Sequence, residues 1–229
     1  MPEEIKPGSL YIVPTPIGNL EDITLRALKV FGGVDVIAAE DTRTTKFLLD
    51  HYNIQKPLIS FFSHNEQIRV PQIIERLKKG ESVAVVSDAG TPGISDPAHT
   101  IITAAIEEAI PIIPLPGATA FIPALIASGL PTHSFVFEGF LPHKKGRKTR
   151  LEKLAEEERT IVLYESPHRI LKTLEELKEY MGDRPAVIGR ELTKKFEEIV
   201  RGNLSELLQK FSSQSIKGEF VIVVEGKKD

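Results

Sequence analysis

The chain has 229 residues, 41% of them hydrophobic and 27% charged, a balance that supports packed cores and lies far from the composition of disordered chains. It contains no cysteine, which excludes a disulfide framework, a thiolate metal site and a thiol nucleophile. The formal charge of −3, from 29 basic and 32 acidic residues, argues against a basic footprint spread over the whole molecule.

In chain order, Met1 to Leu10 carries Glu3, Glu4 and Lys6 and lacks the basic-then-apolar layout of a signal peptide. No apolar run approaches the ~18 residues of a membrane span. A cytoplasmic protein with no membrane partner is expected. Short apolar runs at Leu10 to Val13, Val34 to Ala39, Leu58 to Phe61, Val83 to Val86 and Ile112 to Pro114 read as buried strands. Helical spacing fills the gaps at Leu25 to Val30, Thr44 to Asp50, Val70 to Lys79 and Pro97 to Glu108, with Gly80 as a stop signal. Such alternation predicts a largely parallel sheet with helices on both faces.

Beyond residue 116 the pattern changes. Strands are predicted at Phe135 to Phe137, Thr160 to Tyr164, Ala186 to Arg190, Glu197 to Val200 and Phe220 to Val224. The step from Arg190 to Glu197 is too short for a crossover helix, so an antiparallel pair and a mixed sheet are expected there. Pro114, Pro116, Gly117, Pro123, Gly129 and Pro131 punctuate the passage between halves. The predicted organisation is two α/β domains, 1–116 and 117–229. One basic run, Lys144, Lys145, Arg147, Lys148, Arg150 and Lys153 against Glu152 alone, stands in the second; a solvated helix face is its ordinary explanation.

No G-x-G-x-x-G follows the first strand, and no G-x-x-x-x-G-K-[ST], H-E-x-x-H or G-x-S-x-G occurs. What stands out instead are loops at predicted strand ends, where open α/β sheets bind ligands: Pro14 to Leu20, Glu40 to Thr44, Ser63 to Glu66, Ser87 to Pro97 and Pro116 to Ala120. Each alone reads as a turn or helix cap. Together, bare backbone and small polar groups on one sheet edge suit a ligand with several hydrogen-bonding groups.

Several strings then carry a resemblance: Gly90-Thr91-Pro92-Gly93-Ile94-Ser95-Asp96-Pro97, Gly139-Phe140-Leu141-Pro142, Tyr164-Glu165-Ser166-Pro167-His168-Arg169, and Glu191-Leu192-Thr193-Lys194-Lys195-Phe196-Glu197-Glu198. With Val13 to Thr24, Ala39 to Thr45 and Leu115 to Ala120, they resemble the tetrapyrrole methylase superfamily, and within it the ribosomal RNA (cytidine 2′-O) methyltransferase I group. Phe62 departs from the pattern, standing where a second histidine is common. The resemblance implies two α/β domains with S-adenosyl-L-methionine in the cleft between them. It places the cofactor against Pro14, Asp88, Gly90, Thr91, Ile94, Ser95, Ala118, Thr119, Tyr164 and Leu192, with Asp88 equally suited to capping its own turn. Ribosomal RNA, free or in the assembled small subunit, is the implied partner, and a homodimer the implied assembly.

Displacement of a sulfonium methyl by a ribose hydroxyl benefits from a nearby base, for which Asp41, His64, Glu66 and Glu191 are candidates, with water as the alternative. No metal is required by this chemistry. Lys144, Lys145, Arg147, Lys148, Arg150 and Arg169 are the candidates for RNA phosphates, Arg169 because a guanidinium binds oxygens as a fork. A C-methylase acting on a tetrapyrrole and a non-catalytic RNA-binding module of ribosome assembly are the other readings.

Overall fold

The apolar runs of the first half become β1 (Leu10–Ile12), β2 (Val36–Ala39), β3 (Leu58–Ser60), β4 (Val83–Val86) and β5 (Ile112–Pro114) in a computed structural model that describes residues 4–96, 98–213 and 215–228. The chain divides into two units, Met1–Thr119 and Ala120–Asp229, against an expected boundary after residue 116.

In the first unit all strand pairings are parallel, in the order β3-β2-β4-β1-β5. Side chains alternate between faces along a strand, and two cores result. Leu10, Ile12, Val36 and Ala38 pack with Ile73, Ile74 and Leu77 of α3 (Glu66–Lys78) and Ile101 and Ala105 of α4 (Ala98–Glu107). Tyr11, Val13, Ile37 and Ala39 pack instead with Ala27, Val30 and Phe31 of α1 (Leu25–Gly33) and Leu48 and Leu49 of α2 (Thr42–His51). Both faces are therefore covered, which explains why these strands read as unbroken apolar runs. α1 leaves β1 toward one face and α4 leaves the adjacent β4 toward the other, the divergence at which open α/β sheets bind ligands beyond the carboxyl ends of their strands.

Element ends differ in places from the sequence reading. α3 starts at Glu66, four residues before the stretch whose apolar spacing predicts a helix from Val70, and carries Pro71 inside it. Pro97, the expected first residue of α4, lies outside the described residues.

The second unit holds α5 (Phe121–Ser128), β6 (Phe135–Phe140), α6 (Arg147–Ala155), β7 (Thr160–Glu165), α7 (Ile170–Met181), β8 (Pro185–Arg190), β9 (Glu198–Asn203), α8 (Leu204–Ser212) and β10 (Phe220–Val224). Its sheet runs β6-β7-β10-β8-β9. β6 and β7 are parallel, and every other pair is antiparallel, including β8 with β9 from Pro185 opposite Asn203 to Arg190 opposite Glu198. The mixed sheet and its hairpin-like pair match the sequence reading. α6, α7 and α8 cover one face through Leu151, Leu174, Leu177, Leu207 and Phe211. α5 packs on β7, β8 and β10. A bulge between Phe137 and Gly139 bends β6 near its end, with Gly139 at φ 66°, a conformation that glycine adopts without strain.

Candidate cofactor and substrate site

Four of the five strand-end loops are stitched to one another. Thr15 and Gly90 exchange backbone hydrogen bonds of 2.9 Å in both directions, and the Thr15 hydroxyl donates to the Ser87 carbonyl at 3.1 Å. Gly90, at φ 84°, leaves its missing Cβ position 3.5 Å from Ile17 and 3.7 Å from the Ala118 carbonyl. The Thr91 hydroxyl donates to that same carbonyl at 2.9 Å. Gly117 lies so close to buried Pro14 that a Cβ there would stand 2.4 Å from the proline Cβ.

The β2 and β4 ends are joined by a reciprocal pair. The Asp88 carboxylate accepts the Asp41 N–H at 2.9 Å, and the Glu40 carboxylate accepts the Asp88 N–H at 3.2 Å. Burial raises the Glu40 pKa, against the Asp88 N–H that lowers it, and the charges of Asp88 and Asp96 raise it further. Sequence reasoning passed over Glu40 because a carboxylate ending a strand carries no motif of its own. Asp96 closes the β4 loop by accepting the Gly93 N–H at 2.7 Å and the Ala98 N–H at 3.1 Å. Ile94 and Ser95 project from this loop exposed.

Whether these residues suit a cofactor is answered by an orphaned atom. The Thr119 hydroxyl is buried without a hydrogen-bond partner among the described residues, and buried polar groups are rarely left so unless a ligand or water completes them. With the Gly90 backbone committed to Thr15 and the tight Gly117 approach holding the loops together, the edge offers small polar groups, the Thr91 hydroxyl and the unspent Thr119 hydroxyl. That set fits an adenosyl amino acid, whose ribose, amine and carboxylate all seek small polar partners.

Of the proposed bases, Asp41 is spent. Its carboxylate caps α2 through the Arg43 N–H and grips the Arg43 guanidinium at 2.6 Å, and these contacts lower its pKa to about 2. Glu191, at φ 49°, is bonded by the Lys194 ammonium at 2.9 Å, which lowers its pKa. His64 is exposed with its ring edge-on to Phe62, and Glu66 opens α3. The turn between Ser60 and Glu66 is bonded within itself, Asn65 accepting from the Phe62 N–H and donating to the Ser60 carbonyl.

In the second unit, half-buried Tyr164, next to last in β7, lies beside Phe137 and Phe140, at 5.1 and 5.6 Å between ring centroids. Leu192 is buried against Gly189. The basic run divides into two populations. Arg147 is not a surface cation: it is 5% exposed, pairs with Glu176 at 2.6 Å, and donates to the Thr173 hydroxyl and the Pro142 carbonyl at 2.7 and 3.1 Å. Arg169 is likewise engaged, by the fully buried Glu165 carboxylate at 2.8 Å and the Leu141 carbonyl at 2.9 Å. Both leave the phosphate-binding set, because a guanidinium already satisfied in the interior has no fork to offer. Arg150 pairs with Glu138 at 2.9 Å and Lys148 with Glu152 at 3.8 Å. Lys144 and Lys145 are exposed and have no carboxylate partner among the described residues. No cluster of His, Asp or Glu able to hold a metal ion occurs among the described residues, and none of their helices is long and apolar enough to cross a membrane.

The sequence pattern of the family described as Tetrapyrrole (Corrin/Porphyrin) Methylases matches residues 9–208. Proteins named "Ribosomal RNA small subunit methyltransferase I" are similar over nearly the whole chain. The one from Haemophilus influenzae is 52% identical, covering 96% of this chain and 79% of its own length. That from Thermotoga maritima is 48% identical, covering 96% and 99%. Among solved structures, the methyltransferase CobJ superposes with a TM-score of 0.70 at 21% identity, over 96% of this chain and 94% of that one. Uroporphyrin-III C-methyltransferase from Thermus thermophilus, complexed with S-adenosylhomocysteine, superposes at 0.65 and 17% identity, over 95% and 97%. These two share the fold. The chain belongs to the tetrapyrrole (corrin/porphyrin) methylase family, among its ribosomal RNA small subunit methyltransferase I members.

Proposed function

We propose that the protein transfers a methyl group from S-adenosyl-L-methionine to the ribose 2′-hydroxyl of a cytidine in small-subunit ribosomal RNA. The observation that carries this reading is identity of about half over 96% of the chain to proteins named for that RNA. The cofactor supplies an activated methyl on a sulfonium, and the protein supplies placement. The loop surface that Gly90 and Gly117 keep free of side chains, the Thr91 and Thr119 hydroxyls and the Pro14 edge form its cradle. Asp88 acts by fixing the α2 start against the β4 loop as much as by touching ligand. Ile94 and Ser95 border the site, and Tyr164 and Leu192 are carried over as cofactor contacts from the family pattern alone.

A ribose hydroxyl gains nucleophilicity as its proton is withdrawn. Asp41 and Glu191 are already held by cations, which makes them weak acceptors, so His64 and Glu66 keep that role. Lys144 and Lys145, helped by Lys148 and Arg150, hold phosphates. We further infer that the protein works as a homodimer in the cytoplasm, where its RNA is made and assembled; a monomer in sedimentation would overturn the first part.

The test is methyl transfer from labelled cofactor to small-subunit ribosomal RNA, naked and in assembled particles, beside a porphyrin-type precursor. Label in RNA, at a 2′-oxygen, is expected. Label in the macrocycle alone would make the protein a C-methylase, and failure to bind S-adenosyl-L-methionine in calorimetry would leave only an RNA-binding module.

A further inference from the structure

Phe140 ends β6 with 52% of its surface exposed. Its partner across the sheet is Tyr164, which meets Phe137 edge-on, and Phe137 in turn stacks on Phe121 with centroids 4.6 Å apart. The exposed ring is thus the outermost member of a packed aromatic series. The backbone just beyond it is anchored from inside. The Leu141 carbonyl accepts from Arg169 and the Pro142 carbonyl from Arg147. Both guanidiniums are locked by a buried chain in which Thr173 donates to Glu165 at 2.7 Å and accepts from Arg147 at 2.7 Å. Next come exposed His143, Lys144 and Lys145. The neighbouring cations are paired, Arg147 with Glu176, Arg169 with Glu165, Arg150 with Glu138 and Lys148 with Glu152, and exposed Lys153 lies further along, in the last turn of α6.

A flat apolar ring on a fixed support, a few residues from two unpaired ammonium groups, matches the alternation of base and phosphate in single-stranded nucleic acid, where bases stack on aromatic side chains and lysines follow the backbone. We propose that Phe140 is a stacking platform for an unpaired base of the substrate RNA, that Lys144 and Lys145 take the phosphate beside it, and that the Glu165–Arg169–Thr173–Arg147 chain is a positioning device for both. The proposal rests on the RNA reading above and adds to it a specific base site.

Stacking and charge respond differently to salt, which provides the test. Phe140→Ala should weaken binding of small-subunit ribosomal RNA by about tenfold while leaving the slope of affinity against salt unchanged. Lys144→Ala with Lys145→Ala should flatten that slope. The chain contains no tryptophan, so Phe140→Trp introduces a single indole that should restore affinity and be quenched when RNA is added. Thr173→Val should weaken RNA binding with unchanged cofactor affinity, and Thr173→Ser should recover it. If the lysine pair matters but Phe140→Ala binds normally or the indole is not quenched, the platform is overturned and the RNA reading survives. If the parent binds neither naked RNA nor the assembled particle, both fall. A concentration-dependent shift of the indole without RNA would make this face a contact between copies of the chain and would also overturn the proposal.

Discussion

Thr119 holds a buried hydroxyl that bonds to nothing among the described residues, so its loss has opposite consequences for fold and ligand. Thr119→Val should leave the melting temperature unchanged or slightly higher, because a buried polar atom without a partner costs ~1–3 kcal/mol, yet weaken S-adenosyl-L-methionine binding about fivefold in calorimetry. Lower stability with unaltered affinity would assign the hydroxyl to the fold instead. Asp88→Ala should weaken cofactor binding more than about tenfold, since it strips the acceptor from the Asp41 N–H. Asp88→Asn, which keeps an acceptor oxygen, should retain most of the affinity if Asp88 works by positioning. Unchanged affinity in the alanine variant would remove Asp88 from the site. Asp88, Gly90 and Gly117 were visible in the sequence because loop glycines and acids announce backbone demands locally. Arg147 was misread for the converse reason. Its partners Glu176 and Thr173 lie a helix away, and nothing in a run of basic residues tells which one turns inward.

At the scale of elements, the joint between β2 and β4 is set by Asp35 and Ser82, one residue before each strand. The Asp35 carboxylate accepts from the Ser82 N–H and hydroxyl at 2.7 and 2.6 Å, and the Asp35 N–H donates back to that hydroxyl's oxygen at 3.1 Å. The Ser82 hydroxyl and N–H hold the Asp35 pKa below its ordinary 3.8. A depressed folded pKa means that the stabilisation is present above pH 3.8 and is lost as pH falls through the lower folded value. Asp35→Asn should therefore lower stability at neutral pH and shrink the fall in stability below pH 3.8, as followed by acid titration of the circular dichroism. Gly117→Ala should destabilise by ~1–3 kcal/mol, as overpacking does, and lower cofactor affinity, because the new methyl group must displace Pro14. Strands of the first unit were legible as apolar runs because both their faces are covered. Two helices were not. α5 is apolar nearly throughout and carries Pro123, so neither periodicity nor composition separates it from a loop. α8 carried a readable signal, Asn203 followed by Glu206, whose side chain accepts the Asn203 N–H at 2.8 Å. That spacing is a capping pattern.

Across the whole molecule, the charge of −3 sets a weakly repulsive background for RNA, against which a few local cations must act. Replacing Lys144, Lys145 and Lys148 with alanine should reduce the log–log salt slope of RNA binding by about 0.7 for each phosphate no longer neutralised and leave cofactor affinity alone. An unaltered slope would make the loop a solvated face. Arg147→Ala belongs to a different class. It should cost ~1–3 kcal/mol, because the buried guanidinium that Glu176, Thr173 and the Pro142 carbonyl share is lost, so its effect on RNA would report stability. The order of strands also has a consequence for how the protein is made. The first sheet has all its strands once residue 114 has been synthesised, whereas β10 is the middle strand of the second, between β7 and β8. During synthesis, which runs from the N-terminus and lets domains fold as units, four strands of the second unit wait with two facing edges unpaired until residues 220–224 emerge. Exposed edges of that kind invite pairing with other chains, so a chain stopped before residue 220 would have a first sheet able to form and a second one open at its centre.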